Sequence, residues 1–156
     1  MMKSRFIGWC LSPVLSVLFR WFLGVIFLYA GLIKASDPHG FAHSIYDYRL
    51  LLGWMINPMA ILMPWVEILV GISLLLGILT QGAALVGSGL MAVFTGALGI
   101  SLARGLAIAC GCFSTSSTAE PATWLNLLEN LVLLGMGVHV FLFDQGLFRV
   151  SRLIRK

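Results

Sequence analysis

Two thiols separated by a single glycine, Cys110-Gly111-Cys112, stand in the one long polar connection of an otherwise apolar chain. Cysteines this close reach the Cα separation of about 4.4–6.8 Å that a disulfide needs only if the backbone bends between them. Glycine permits that bend. A disulfide closing so small a ring is strained, and strained, exposed disulfides are the ones that exchange readily. A permanent disulfide or two idle thiols is the plainer alternative, and redox cycling is the preferred reading. Two thiolates also suit a soft metal such as copper, zinc or mercury. No other Cys or His completes an obvious zinc-ligand pattern, so no metal ligand is assigned.

The second chemical signal is ionic. Glu67 and Glu129 each interrupt an apolar run, where a carboxylate costs roughly 2.5–3.5 kcal/mol on insertion scales and is functional by default. At 1.5 Å per helical residue, Glu67 lies about 13 Å beyond Pro58 and Glu129 about 11 Å beyond Ala122, a matched depth. Lys34 and Arg104 close the outer ends of two neighbouring runs. The four residues are expected to form one polar cluster below the thiols, with Asn130 as a further partner. An interhelical clamp and a proton-handling group compete as its role, and neither excludes the other. His39 and His43 read as ordinary interfacial histidines, and His139 as a hydrogen-bonded packing residue.

The elements that must position these groups follow from composition. The chain has 156 residues, 60% hydrophobic and only 10% charged, with a mean hydropathy of +0.99. Soluble domains are typically about 45–50% apolar and about 25% charged. The expectation is a single domain, residues 1–156: an all-α, integral membrane four-helix bundle. Its spans are read at approximately 14–33, 58–79, 83–103 and 122–143, each near the roughly 20 residues a crossing requires. Phe41, Ile45, Tyr48 and Leu52 recur at helical spacing between the first two, which fits a helix lying in the outer interface. Pro121 is placed like a first-turn proline of the last span. In the third span, Ala84, Ser88, Ala92, Gly96, Gly99 and Ala103 form a small-residue stripe suited to close helix packing.

The net charge of +4 does not point to nucleic acid, because the basic residues lie toward the chain ends rather than in an aromatic-studded patch. Lys3, Arg5 and Arg20 come first, and Arg149, Arg152, Arg155 and Lys156 last. The positive-inside rule places both termini in the cytoplasm, which agrees with four spans. Arg20 is expected to snorkel toward the cytoplasmic headgroups. Residues 1–19 look like a signal peptide but have no small-residue cleavage site, so they are read as leading into an uncleaved first span. Cys10, directly after Trp9, reads as a small hydrophobe rather than a lipidation site.

The ordered set Leu23-Gly24, Tyr29-Ala30-Gly31-Leu32-Ile33-Lys34, Asp37-Pro38, Pro64-Trp65-Val66-Glu67, Gly71, Gly77, Arg104-Gly105 and Cys110-Gly111-Cys112-Phe113 resembles the MauE branch of the DoxX-like membrane proteins. The resemblance covers the chain from Arg20 to about Phe143. It implies a multi-pass inner-membrane protein, tied to methylamine utilisation, that supports redox maturation of periplasmic enzymes. The substrate it implies is the disulfide-rich small subunit of methylamine dehydrogenase, alongside a periplasmic thioredoxin-like partner. Cys110 and Cys112, facing the periplasm, would then exchange disulfides as a component of a thiol-disulfide oxidoreductase. No cofactor is evident; quinone stays open as an electron acceptor that no residue pattern demands. Where the family often has an acidic residue before the cysteine pair and a charged pair in the last span, this chain has Ala109 and Glu129-Asn130. Loss of a neighbouring anion favours the thiolate.

Overall fold

A computed structural model describes residues 13–105 and 123–143. Within them the chain is helical, without strands: α1 (Pro13–Ser36), α2 (Pro38–Asp47), α3 (Gly53–Leu76), α4 (Thr80–Ala103) and α5 (Trp124–Phe143). All but α2 are long and apolar enough to cross a membrane. The four long helices pack in the ring order α1, α3, α4, α5, and α2 lies across α3 at one end. That end, where α1, α2 and α4 finish and α3 begins, is here the α2 end; the opposite one is the turn end.

Local chemistry sets the boundaries. Asp37 accepts a hydrogen bond from the Gly40 amide at 2.9 Å and Pro38 follows it, an N-cap with proline in the first turn. Glycine 77, at φ 68°, ends α3 in the left-handed region, which costs a residue without Cβ nothing. Leu79, at φ 50°, shares that turn. The break therefore falls at residues 77–79, and Thr80, Gln81 and Gly82, which the span bounds 58–79 and 83–103 leave between two helices, already belong to α4. At the start of α5, both the Thr123 amide and hydroxyl donate to Asn126 Oδ1, at 2.8 and 2.9 Å.

The second span starts at Gly53 rather than at Pro58, so both Pro58 and Pro64 lie inside α3. The reason is that a proline near a helix start removes few internal hydrogen bonds, and transmembrane helices tolerate proline where neighbours compensate.

Close packing is concentrated between α1 and α3. A Cβ added at Gly71 would lie 2.7 Å from the Leu28 amide nitrogen and 2.9 Å from the Gly24 carbonyl oxygen; one at Gly31 would lie 2.9 Å from the Pro64 carbonyl oxygen. The two backbones are in contact, as small residues allow in membranes. Alongside them Leu23, Phe27, Val70 and Leu74 form the core with Ala84 and Met91 of α4 and Leu133 and Val140 of α5. The α4 stripe expected from sequence holds only in part. Ala84 is buried, but Ala92, Gly96 and Ala103 are exposed, and α4 instead buries Thr80, Ala83, Gly87, Met91, Leu98 and Ser101. Small residues alone do not say which of two adjacent helical faces a neighbour selects.

Arg20 is also placed differently from the expectation. It is fully buried and engaged with a partner rather than extended to the headgroups. Ser16 is buried one turn away, and its Oγ lies 3.4 Å from His139 Nε2. The His139 ring is edge-on to Phe19 and tilted against Phe143. A polar layer near the turn end thus joins α1 to α5.

Candidate functional site

Near the α2 end, Lys34 and Glu67 meet in the bundle interior. Lys34 Nζ donates to Glu67 Oε1 at 2.5 Å, and the side chains are 3% and 1% exposed. Two features of the chain bring them together. The contact of Gly31 with the Pro64–Ile68 turn sets α1 directly against α3 one turn below Lys34. The helices are antiparallel, and side chains lean toward the N-terminus of their own helix. Lys34 therefore leans inward from the α2 end while Glu67 leans outward to meet it.

Aromatic rings complete the enclosure. Lys34 Nζ lies 4.7 Å from the centroid of Phe94 on α4 and 5.2 Å from that of Phe41 on α2, distances at which a ring face attracts a cation. Phe41 is itself 1% exposed. It is carried inward by α2, whose Asp37 cap and buried Ser44 and Tyr48 fix that helix over the bundle. Glu67 Oε2 is buried and accepts no hydrogen bond from the described residues. The pair thus joins α1 and α3, and its aromatic walls come from α2 and α4.

The expected four-residue cluster is, in the described structure, this pair. Arg104 and Glu129 are exposed, and among the described residues neither has an ion pair. The physical reason is rotational. Matched depth is shared by every side of a helix, and α5 turns Asn130, not Glu129, inward; Asn130 is 4% exposed and engaged with a partner. Phe41 and Phe94 were missed as parts of the site. Phe41 was legible only as an interfacial helix residue, and nothing in the sequence sets Phe94 apart from other apolar residues of its span.

Cys110 and Cys112, with Pro121, lie outside the described residues, as does Cys10. The segment that carries the pair joins Gly105 to Thr123, the residues flanking the ends of α4 and α5 at the α2 end. No group of three or more His, Cys, Asp or Glu among the described residues could hold a metal. His43 Nδ1 is 3.2 Å from Asp47 Oδ2 on the exposed face of α2, and His39 is exposed.

Beside the pair, an apolar cavity of about 130 Å³ opens between α2, α3 and α4. Phe41 and Phe94 form part of its wall together with Tyr48, Leu50, Met63 and Val93.

No solved structure matches this chain. Among sequences, a protein of Paracoccus denitrificans named methylamine utilization protein MauE is 31% identical over 131 residues, 83% of this chain and 70% of the relative. The protein of the same name from Methylophilus methylotrophus is 29% identical over 130 residues, 83% of this chain and 68% of the relative. That from Methylorubrum extorquens is 32% identical over 120 residues, 76% of this chain and 64% of the relative. The family pattern described as methylamine utilisation protein MauE spans residues 12–143, and so takes in the paired Lys34 and Glu67, the Cys110-Gly111-Cys112 sequence and all five described helices, α1 to α5: the chain belongs to the MauE family.

Proposed function

We propose that this protein lies in the cell inner membrane with the α2 end toward the periplasm, and that it supports thiol-disulfide exchange during maturation of a periplasmic protein. The observation that carries this reading is topological. The segment bearing Cys110 and Cys112 leaves α4 and enters α5 at the end of the bundle where α2 and the Lys34–Glu67 pair lie. Even parity of the spans then leaves the basic chain ends on the opposite, cytoplasmic side.

The exchange balances without an external reagent. A thiolate of the pair attacks one sulfur of a partner disulfide, and the partner's other sulfur leaves as a thiolate. The second cysteine attacks the mixed disulfide, leaving a Cys110–Cys112 disulfide and a reduced partner. Run in reverse, the same steps deliver a disulfide to the partner. The family's tie to methylamine utilisation makes the small subunit of methylamine dehydrogenase and a thioredoxin-like protein the first partners to test. Lys34, Glu67 and the rings around them brace the helices below.

The test is mechanism-based trapping. Replacing only the resolving cysteine leaves a mixed disulfide that cannot be cleared within the chain. One of Cys110→Ser and Cys112→Ser is expected to accumulate a reductant-sensitive adduct with a periplasmic thiol protein, and the double variant none. Absence of an adduct from both, together with stoichiometric copper or zinc in the purified wild type, would replace exchange with soft-metal binding.

A further inference from the structure

The cavity beneath α2 has a shape, a lining and a rim that the thiol chemistry does not use. Its volume of about 130 Å³ is close to that of apolar cavities, about 150 Å³, that stay dry and admit a benzene-sized solute. Its surface is almost entirely carbon. The two hydroxyl groups in the wall belong to Ser44 and Tyr48; Ser44 Oγ already donates to the Gly40 carbonyl at 3.0 Å, and Tyr48 is also engaged. An occupant therefore meets almost no polar surface inside, and hydrocarbon is the chemistry that fits it.

The rim shows where that hydrocarbon comes from. Val93 lies within the α4 span and is 60% exposed while lining the cavity, so this side of the opening faces lipid chains rather than water. The upper rim is the stretch that follows α2. Tyr48, Leu50 and Leu51 all line the cavity, and the residue between them, Arg49, is exposed. Arg49 has no ion pair among the described residues. Tyr46 and Trp54, 63% and 74% exposed nearby in the chain, are the residue types found at headgroup depth. A cation thus sits at headgroup level above an apolar slot that opens into the bilayer.

We propose that this slot takes one hydrocarbon chain of an anionic phospholipid whose phosphate rests on Arg49. The chain end packs against the outer faces of Phe41 and Phe94, the two rings that flank Lys34, so the bound lipid closes the remaining side of the aromatic wall. Met59 and Met63, flexible and polarisable, also line the slot and adjust to a chain of variable kink.

The experiment is native mass spectrometry of the full chain released from nanodiscs of phosphatidylglycerol, of phosphatidylcholine, or of an equal mixture. Wild type is expected to retain one phospholipid and to prefer phosphatidylglycerol about fivefold, the contribution of one basic residue near an anionic headgroup. Arg49→Gln, an exposed change, should keep a bound chain but lose the preference. Ala97→Phe, which fills the cavity from α4, and Val93→Phe, which narrows its mouth, should each reduce retention by about tenfold with unchanged helix content. Excess inorganic phosphate should not displace the lipid, because the chain supplies the affinity. Equal retention by wild type and both filling variants would overturn the proposal. So would the same headgroup preference in Arg49→Gln, displacement by phosphate, or recovery of a neutral isoprenoid quinone in place of phospholipid.

Discussion

Removing either partner of the Lys34–Glu67 pair is expected to destabilise the bundle far more than removing both. At 2.5 Å and an effective dielectric of about 20, the direct attraction is roughly 7 kcal/mol. Desolvating both ions offsets much of this, since burial costs each several kcal/mol. The net worth of the intact pair is therefore small. Breaking it is another matter, because the remaining charge stays in a site 1–3% exposed, with apolar rings on two sides. Lys34→Met, which keeps the length of the stem, and Glu67→Leu should each cost about 3–5 kcal/mol, whereas the double variant should fall within about 1 kcal/mol of wild type.

The assay is reversible unfolding in mixed micelles, read by helix content and arranged as a double-mutant cycle. A loss of 3–5 kcal/mol changes the folded-to-unfolded ratio by roughly a hundredfold to a few thousandfold, well above the scatter of such titrations. Single losses below about 1 kcal/mol, the range of exposed ion pairs, would refute the reasoning. So would simple addition of the two effects, because the geometry requires them to share one interaction.

Three further outcomes follow from the same structure. Gly71→Ala should cost about 1–3 kcal/mol in the same unfolding assay, since its Cβ would press on α1 backbone atoms that cannot rotate away; Gly96→Ala, with nothing within 4 Å, should be neutral or stabilising by up to about 1 kcal/mol. Glu129→Gln and Glu67→Leu should add to within about 0.5 kcal/mol, and a larger coupling would mean that Glu129 reaches the buried pair. In intact spheroplasts, a membrane-impermeant maleimide should label reduced Cys110 or Cys112 and leave Cys10 unlabelled, and labelling of Cys10 alone would invert the proposed orientation.

How far the sequence reveals this architecture depends on the kind of information each feature needs. The four long apolar helices and the short helix α2 between the first two follow from length, hydropathy and period, which are local properties. The approximate ends of the spans do too, except the start of α3, whereas Asp37-Pro38 reads in the sequence as turn chemistry and in the structure caps and opens α2. Rotation about each helix axis is not local. Matched depth could group Glu67 with Glu129, but only packing decides that α5 faces inward with Asn130, Leu133, Gly137 and Val140. Arg20 follows the same logic. As an arginine near a helix end it could extend to headgroups, yet its rotation points it into the bundle near Ser16 and His139. The glycines of α1 and α3 occur among the residues that suggest the family, whereas the stripe that looked most regular, on α4, is partly turned outward.

That contrast explains why the ion pair sits where it does. A buried Lys–Glu pair needs a short separation and a nearly waterless enclosure at once, and the two requirements usually compete, because long charged side chains hold helices apart. Here Gly24, Gly31 and Gly71 let the α1 and α3 backbones touch below the pair, so Lys34 and Glu67 need to bridge only the narrow opening above that contact. Phe41 and Phe94 close the opening with ring faces that attract the ammonium rather than compete for its hydrogen bonds. Because Phe41 belongs to α2, any displacement of that helix uncovers the ion pair. The position of α2 and the desolvation of Lys34 and Glu67 are therefore coupled, at the end of the bundle where the segment carrying Cys110 and Cys112 begins and ends.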